Sequence, residues 1–236
     1  MNSEKSPVEV IEMVAPGTQS PVTASVIWLH GLGASGDDFV PVVPELGLAG
    51  GPGVRFIFPH APVRPITING GMSMPGWFDI TSLEFEDREQ DLTGMQESVE
   101  IVNQLIEKEI ESGIKPEHIV IAGFSQGGVI ALLAALQGKF KLAGVIALST
   151  YLPEADEAIE RYQKASKAGD VGGPDSLPVF MAHGQYDDVI RIEFAESSHA
   201  AMKKAGFDVE WHAYPMPHSV SPEEINDIAV WLKKRL

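Results

Sequence analysis

A serine, an aspartate and a histidine follow one another along this chain in an order that could support nucleophilic catalysis. Ser125 lies in the motif Gly-Phe-Ser-Gln-Gly, between an apolar run and a helix-forming run. A serine hydroxyl is a weak nucleophile by itself, so it needs a base, and the base needs a carboxylate that orients it. Downstream, the segment QYDDVI supplies two carboxylates and the segment MPHSV supplies His218. These residue types indicate attack of a serine oxygen on a carbonyl carbon.

The residues around Ser125 predict a nucleophile elbow. Such an elbow is a strand-to-helix turn too tight for a Cβ at the flanking positions, which here are Gly123 and Gly127. The helix must begin at once, so that the serine lies at its N-terminus and the N–H of Gln126 faces the carbonyl under attack. The alternative is a serine N-cap beside flexible glycines. The apolar strand before the motif and the helical run after it favour the elbow.

Seven histidines compete for the role of base. His218 is the predicted base, because it alone lies between the last predicted strand and the last predicted helix, where this arrangement places the histidine. His30, His60 and His183 lie at strand ends on the same rim, but they come too early for the order Ser, Asp, His. The remaining three are interpreted as structural residues: His118, His199 and His212.

Two adjacent carboxylates are candidates for the orienting acid. Asp187 and Asp188 both follow the predicted strand at 178–184. Neighbouring side chains in an extended loop point to opposite sides, so only one of the two can face the imidazole. The residues themselves leave this choice open.

A glycine-rich loop, VIWLHGLGASG at 26–36, follows an early predicted strand. Its glycines match G-x-G-x-x-G, the pattern of a dinucleotide-binding turn. However, the region about 20 residues further on has no acidic residue to hold a ribose, and Pro41 and Pro44 interrupt the helix that such a loop should open. In α/β-hydrolases a His-Gly loop at this place supplies the second oxyanion donor. We therefore predict that the N–H groups of Leu32 and Gln126 form the oxyanion hole.

Strand-like and helical runs alternate along the chain, which predicts one α/β domain over 1–236 with a mostly parallel central sheet flanked by helices. An amphipathic helix is predicted over 92–110 and an almost wholly apolar one over 127–136. Ser221, Pro222 and Glu224 form a capping box that opens the last helix. Residues 60–86, rich in Pro, Gly and Met, are predicted as a long lid-like or binding loop. The predicted strands are 8–14, 24–30, 54–59, 118–123, 142–149, 178–184 and 209–215.

The composition excludes several classes of protein. The net charge of −16 disfavours nucleic-acid binding and polybasic docking on anionic membranes. The chain has no cysteine, which excludes disulfides, thiolate metal sites and a cysteine nucleophile. The first residues lack the layout of a signal peptide, and no apolar run is long enough to span a bilayer. A cytoplasmic location without stable membrane insertion is therefore expected.

Five segments of the chain carry a resemblance to a known family: WLHGLGASGDDF, FPHAPVRPITINGGMSMPGWFDI, GFSQGG, HGQYDDVI and MPHSV. Together they resemble the phospholipase/carboxylesterase family of α/β-hydrolases, which includes type II carboxylesterases and acyl-protein thioesterases. The resemblance implies that Ser125 is the nucleophile and His218 the base. In the family pattern H-G-x-x-D the acid is the fourth residue after the histidine, which is Asp187. Leu32 and Gln126 match the oxyanion donors.

The resemblance also implies an apolar acyl site formed by the 60–86 loop, including Trp77, with Tyr151 and Val189 at its rim. Trp77 as an ordinary core residue is the alternative. The implied function is hydrolysis of carboxylic esters with short to medium acyl chains, through an acyl-enzyme and without a metal or organic cofactor. Acyl-protein thioesterase and lysophospholipase activities on the same residues stay open, and so does a ligand-binding module without turnover. The substrate is expected to be a small acyl ester or thioester, and the resemblance is compatible with a homodimer.

Overall fold

A seven-stranded sheet forms the centre of the part of the chain that the structure describes. The computed structural model describes residues 8–18, 21–82 and 90–236. In chain order, the strands of these ranges are β1 (Val10–Val14), β2 (Val22–Leu29), β3 (Gly53–Pro59), β4 (Val63–Ile66), β5 (Met72–Pro75), β6 (Ile119–Phe124), β7 (Gly144–Leu148), β8 (Val179–Gly184) and β9 (Val209–Tyr214). Strands β4 and β5 pair with each other, and the rest form the sheet in the order β1-β3-β2-β6-β7-β8-β9.

The sheet is parallel except at one edge, where β1 pairs antiparallel with β3. Its central strands are apolar at nearly every position, because a parallel sheet is covered by helices on both faces. The predicted mostly parallel α/β architecture is therefore confirmed. All seven predicted strands of the sheet are present, and their bounds differ from the predicted ones by at most two residues.

Helices cover both faces of this sheet. They are α1 (Val42–Glu45), α2 (Leu92–Glu111), α3 (Gln126–Leu136), α4 (Ala155–Ala168), α5 (Ile192–Lys204) and α6 (Pro222–Arg235). The helices predicted from the sequence correspond to α2, α3 and α6 and are confirmed. Every residue of α3 except Leu133 is buried, as its apolar composition predicts. No helix is predicted from the sequence at α4, which buries Ala158, Ile159 and Tyr162.

The core consists of two clusters, one on each face of the sheet. On β6, Ile119 and Ile121 belong to the cluster that includes residues of α2, α3, α4 and α5. Val120 and Ala122, between them, belong to the cluster that includes residues of α1 and α6. This alternation follows from the two-residue period of a strand. Because both faces are buried, the sheet gives a rigid support to the loops at the carboxyl ends of its strands.

The segment between β3 and α2, where the sequence predicts a long loop, contains a short antiparallel hairpin. Strands β4 and β5 pair Val63 with Pro75 and Ile66 with Met72. A single helical turn over 67–69 connects them. The last residues of the predicted loop, 83–86, lie outside the described residues. The hairpin therefore gives the described part of this segment a defined backbone.

The N-terminus of α6 carries the predicted capping box. The Ser221 hydroxyl oxygen accepts from the Glu224 backbone N–H at 3.2 Å, and the Glu224 carboxylate accepts from the Ser221 N–H at 3.3 Å. The Glu224 side chain is fully buried, and its second oxygen, Oε1, has no hydrogen-bond partner among the described residues. Burial, with a smaller contribution from the negative charge of Asp227, raises the pKa of Glu224 to about 8.

We expect Glu224→Gln to stabilise the protein at alkaline pH by about 2 to 4 kcal/mol. The folded-state pKa of Glu224 lies above its ordinary value, so the favourable contribution is present at low pH and is lost as the pH rises towards 8. Glutamine keeps the hydrogen bond to the Ser221 N–H and cannot ionise. Urea unfolding at pH 5 and pH 8 should show the advantage growing with pH.

The exposed neighbour Glu223 provides the matched control. Glu223→Gln removes the same charge from the same helical turn, and its effect should be small at both pH values. Equal pH dependence for the wild type and Glu224→Gln would contradict the prediction.

None of the helices within the described ranges is long and apolar enough to cross a lipid bilayer.

Candidate active site

Ser125 lies in a strained turn between β6 and α3. Its backbone has a φ of 54° and a ψ of −120°, a conformation that side-chain-bearing residues rarely adopt. The turn is held from two sides. The Ser125 N–H donates to the Leu148 carbonyl on β7 at 2.8 Å, and the Thr150 hydroxyl donates to the Ser125 carbonyl at 2.8 Å. Ser125 therefore stands at the carboxyl edge of the sheet, directly before the first turn of α3.

Gly123 and Gly127 are required by the close approach of backbones at this turn. A Cβ on Gly123 would lie 2.3 Å from the carbonyl oxygen of Gly127, and a Cβ on Gly127 would lie 2.5 Å from that of Leu29. Either contact would force the strand, the turn or the helix to move. The steric reason that the sequence suggested for these two glycines is therefore present in the structure.

His218 lies in the loop after β9 and contacts both Ser125 and Asp187. Its Nε2 is 2.9 Å from Ser125 Oγ, and its Nδ1 is 2.6 Å from Asp187 Oδ2. An ionised carboxylate can only accept, so the imidazole proton is on Nδ1, which leaves the Nε2 lone pair for the serine hydroxyl proton. The imidazole also packs against the Phe124 ring, with 4.8 Å between ring centroids. The three side chains thus form one hydrogen-bonded line.

Asp187 is held by hydrogen bonds on both carboxylate oxygens. Oδ1 accepts from the backbone N–H groups of Val189 and Ile190 at 2.9 and 2.8 Å. Oδ2 faces His218, and the Nε2 of His183 lies 3.3 Å from it. Burial alone would raise the pKa of the Asp187 carboxyl. Hydrogen bonds from His183, His218 and the backbone outweigh burial and hold this pKa well below its usual range.

Asp188, the alternative acid, points elsewhere. Its side chain is exposed, whereas Asp187 is 7% exposed. Gly184, before these residues, passes so close to the loop that carries His218 that a Cβ there would lie 2.4 Å from the carbonyl oxygens of Met216 and Pro217. The loop after β8 is therefore pressed against the loop after β9, which brings one of the two adjacent carboxylates to the imidazole.

The remaining histidines are engaged in other contacts. His30 donates from Nδ1 to the Gly31 carbonyl at 2.7 Å and accepts the Ala61 N–H on Nε2 at 3.0 Å, and burial lowers its pKa. His183 donates from Nε2 to the Ile190 carbonyl at 2.7 Å. The contacts of the others are with backbone groups, a carboxylate or a ring: His60 with the Gly36 N–H, His118 with the Thr23 carbonyl, His199 with Trp211 and His212 with Glu210. Of the seven histidines of the chain, His218 is the one hydrogen-bonded to Ser125.

The loop at 30–33 lies beside Ser125. A Cβ on Gly31 would be 3.5 Å from the Cβ of Ser125, which is ordinary van der Waals contact. Leu32 and Gln126, the predicted oxyanion donors, both line the same cavity as Ser125. Gln126 is the first residue of α3, where backbone N–H groups have no partner within the helix. The two predicted donors are therefore brought to the nucleophile from different elements.

A mostly apolar cavity of about 280 Å³ opens at Ser125. Of the predicted substrate-binding residues, Tyr151 and Val189 line it. Tyr151 is nearly buried, and Val189 is 49% exposed, which places Val189 near the mouth. The full lining consists of Leu32, Ile68, Asn69, Phe78, Ile80, Ser125, Gln126, Val129, Tyr151, Val189 and Ile190.

Trp77 does not line this cavity, so its predicted contact with an acyl chain requires correction. The side chain is fully buried and belongs to the core cluster on the α2 and α3 face of the sheet. Its indole N–H donates to the His30 carbonyl, in the 30–33 loop, at 2.9 Å. The next residue, Phe78, lines the cavity instead. The core alternative for Trp77 is the one that the structure supports.

Several cavity residues were not found from the sequence. Val129 follows Ser125 by four positions, and helical spacing could have placed it on the same face of α3. Ile190 directly follows Val189 in the loop after β8. Ile68 and Ile80 come from the segment around the hairpin, and no local pattern in the sequence indicates which of its side chains turn inward. His183 was considered only as a base, and its contact with Asp187 was missed.

A larger cavity, of about 930 Å³, lies between the hairpin and α2. Val63 and Ile101 are among its lining residues, and none of the predicted site residues is. The smaller cavity is therefore the candidate site, because it holds the serine that is hydrogen-bonded to a histidine.

Comparison with known proteins identifies the family of this chain. Residues 10–236 match the phospholipase/carboxylesterase family. Acyl-protein thioesterase 1 of Cryptococcus neoformans var. neoformans is 40% identical over 230 residues, covering 91% of this chain and 93% of the relative. The chain belongs to the phospholipase/carboxylesterase family. Its resemblance to that family, seen in the sequence motifs, is thereby confirmed.

Further phospholipase/carboxylesterase relatives agree with this assignment. Acyl-protein thioesterase 1 of Gibberella zeae is 40% identical over 220 residues, which cover 91% of each chain. The crystal structure of Zea mays acyl-protein thioesterase 2 matches this fold with a TM-score of 0.80 and 29% identity, covering 95% of this chain and 98% of that one. As a member of the family, the chain has the α/β-hydrolase fold and is a hydrolase of esters or thioesters.

Proposed function

We propose that the chain hydrolyses acyl esters and acyl thioesters through a covalent acyl-enzyme formed on Ser125. In this proposal His218 is the general base and Asp187 orients it. The observation that carries the proposal is the hydrogen-bonded line from Asp187 Oδ2 through both ring nitrogens of His218 to Ser125 Oγ. Such a line combines a nucleophile, a base in the required tautomer and an orienting carboxylate.

Acylation begins when Ser125 Oγ attacks the acyl carbonyl carbon and its proton passes to His218 Nε2. The imidazolium that results is stabilised by the ionised Asp187, whose pKa is held low by its own hydrogen bonds. Collapse of the tetrahedral intermediate breaks the bond to the alcohol or thiol, which leaves with the proton from His218 Nε2. The acyl group remains as an ester on Ser125.

Deacylation repeats these steps with water. His218 takes a proton from a water molecule, whose oxygen attacks the acyl carbonyl, and it then returns the proton to Ser125 Oγ. The products are a carboxylic acid and the free enzyme. In both halves the carbonyl oxygen becomes negatively charged, and we assign its stabilisation to the backbone N–H groups of Leu32 and Gln126. These steps call for no cofactor.

The apolar cavity supports an acyl chain of short to medium length as the bound group. Its volume of about 280 Å³ is at the lower end of small-molecule sites, and aliphatic or aromatic side chains make up most of its wall. The names of relatives at 40% identity, acyl-protein thioesterases, support thioesters among the substrates. Esters and thioesters pass through the same acyl-enzyme, so one site can serve both. A lysophospholipid would use the same steps.

Acyl-chain recognition by this cavity predicts a chain-length-dependent effect of Ile68→Asn. We expect kcat/KM for p-nitrophenyl octanoate to fall about 10-fold and that for the acetate to change less than about 3-fold. The long chain would have to desolvate the introduced amide, whereas a two-carbon chain ends close to Ser125. An octanoyl thioester should follow the octanoate ester.

Val63→Asn is the matched control for this measurement. Val63 is 70% exposed on β4 and lies outside the cavity at Ser125, so its replacement should alter neither substrate's kinetics. Equal losses for acetate and octanoate in Ile68→Asn would contradict the acyl-site assignment. If the wild type turned over no ester or thioester in the series, the proposed function itself would be wrong.

Three further expectations belong to the proposal. The first is a single 1–236 domain whose 60–86 segment acts as a lid-like part of the site. It follows from the sequence and from the four cavity residues that this segment contributes, Ile68, Asn69, Phe78 and Ile80. A cytoplasmic location follows from the sequence pattern, and cell fractionation tests it. A homodimer follows from the family resemblance, and light scattering of the purified protein tests it.

A further inference from the structure

The segment at 75–78 is hydrogen-bonded to the loop that carries Leu32. The Gly33 backbone N–H donates to the Pro75 carbonyl at 2.8 Å. Two residues after Pro75, the Trp77 indole N–H donates to the His30 carbonyl at 2.9 Å. The Trp77 ring also packs against the His30 imidazole, with 5.4 Å between ring centroids. These contacts lie on either side of Leu32 in the sequence. The position of its backbone N–H therefore depends on the 75–78 segment.

The same segment is hydrogen-bonded to the side chain of Gln126. The Trp77 backbone N–H donates to Gln126 Oε1 at 2.7 Å, and Gln126 Nε2 donates to the Phe78 carbonyl at 2.6 Å. Gln126 is 3% exposed, and both bonds are buried. Its side-chain amide thus satisfies one donor and one acceptor of consecutive residues. Gln126, one of the two proposed oxyanion donors, is therefore hydrogen-bonded to the same segment that holds the loop of the other donor, Leu32.

We propose that the 75–78 segment sets the distance between the backbone N–H groups of Leu32 and Gln126, with the Trp77 indole and the Gln126 side chain as positioning residues. The inference deepens the proposed function and rests on it. An oxyanion hole is effective when its donors are held in place before charge develops, and the loss of one donor costs about 10²- to 10³-fold in kcat. The two donors come from separate elements, so a connection between those elements is what keeps their spacing.

Burial of a tryptophan does not by itself require a hydrogen bond from the indole N–H, such as the one from Trp77 to the His30 carbonyl. Trp231, on α6, is also fully buried, yet its indole N–H has no hydrogen-bond partner in the ranges that the structure covers. Buried tryptophans usually find such a partner, and Trp77 finds one in the loop beside the nucleophile. Trp231 belongs to the core cluster on the opposite face of the sheet. This pair therefore provides a matched comparison inside one chain.

Trp77→Phe tests the proposal, because it keeps most of the aromatic volume and removes the hydrogen bond to the His30 carbonyl. We expect kcat for p-nitrophenyl butyrate to fall about 10- to 100-fold with KM changed less than about 3-fold. We also expect the inhibition constant of an alkyl trifluoromethyl ketone to rise by the same factor as kcat/KM falls. Ser125 Oγ adds to this ketone and its carbonyl oxygen becomes an oxyanion, so the inhibitor reports on the donors directly.

The control Trp231→Phe should leave kcat, KM and the inhibition constant unchanged. Gln126→Met is the second variant, since it keeps the backbone N–H and removes both side-chain bonds, and it should show the same parallel loss. Circular dichroism and thermal unfolding show whether each variant is folded. If Trp77→Phe fails to fold, the kcat and the inhibition constant of Gln126→Met test the proposal instead.

Three results would overturn the proposal. The first is an unchanged kcat in folded Trp77→Phe and Gln126→Met, and the second is a loss confined to KM. The third is unfolding of both variants while Trp231→Phe folds, because the bonds would then serve stability rather than donor spacing. These outcomes are distinct from failure of the proposed function, in which the wild type itself would neither turn over the ester nor bind the ketone.

Discussion

Replacing Ser125 by alanine is expected to lower kcat/KM for acyl esters by about 10⁴- to 10⁶-fold. The replacement removes the oxygen that would carry the acyl group. It leaves the cavity, the 30–33 loop and the backbone N–H groups in place, so substrate binding should persist. Ser125 Oγ is the oxygen that lies 2.9 Å from His218 Nε2, so its removal leaves the proposed base without its nucleophile. The loss should therefore appear in kcat with little change in KM.

Two measurements check this expectation. Stopped-flow and steady-state assays with p-nitrophenyl butyrate give the rate constants, and a fluorophosphonate probe followed by peptide mapping locates the reactive serine. The wild type should be labelled at Ser125 with one probe per chain, and His218→Ala should be labelled far more slowly. Ser166→Ala, on α4 and outside the cavity, is the control for replacing a serine and should retain full activity.

The outcomes separate the proposed hydrolase from a ligand-binding module on the same fold. If Ser125→Ala kept more than a tenth of the activity, another residue would have to be the nucleophile. If the folded wild type were neither labelled nor active, the binding module would become the better description. Labelling at Ser125 with turnover of esters or thioesters supports the proposed mechanism.

Asp187→Asn is expected to lower kcat by about 10⁴-fold, whereas Asp188→Asn should change it by less than about 3-fold. An asparagine amide would donate to His218 Nδ1, which would place the imidazole proton on Nε2. His218 could then no longer accept the proton of the Ser125 hydroxyl. Asp188 is exposed and has no such contact, so its replacement removes one charge from a surface that is already strongly acidic.

The two aspartates are adjacent, which makes this comparison unusually well matched. Both variants remove one negative charge, keep nearly the same volume and lie in the same loop after β8. The rate of fluorophosphonate labelling should fall in Asp187→Asn by about the same factor as kcat, since both depend on the activated serine. A severe loss in Asp188→Asn with a mild one in Asp187→Asn would assign the acid to the other residue.

The parts of the fold and of the candidate site that the sequence predicts are those decided by local interactions. Strands and helices follow from the periodicity of buried side chains, and the capping box at Ser221 and Glu224 involves residues three positions apart. The turn at Ser125 is predicted because a turn this tight leaves no room for a Cβ at positions 123 and 127. Both positions lie within five residues of sequence, and both are glycine. His218 is predicted from chain order, since parallel strands place the loops at their carboxyl ends on one edge of the sheet.

Tertiary structure decided what depends on residues far apart in the chain. The residues alone left Asp187 and Asp188 open, and the family pattern chose between them; in the structure, the packing of the loop after β8 against the loop after β9 brings Asp187 to His218. Trp77 was predicted to contact substrate, and it instead joins the 30–33 loop to Gln126, 49 positions further along the chain. The hydrogen-bonding direction of an indole and the inward turn of a hairpin side chain are set by the packed surroundings. No local pattern in the sequence encodes those surroundings, which is why only the folded chain reveals them.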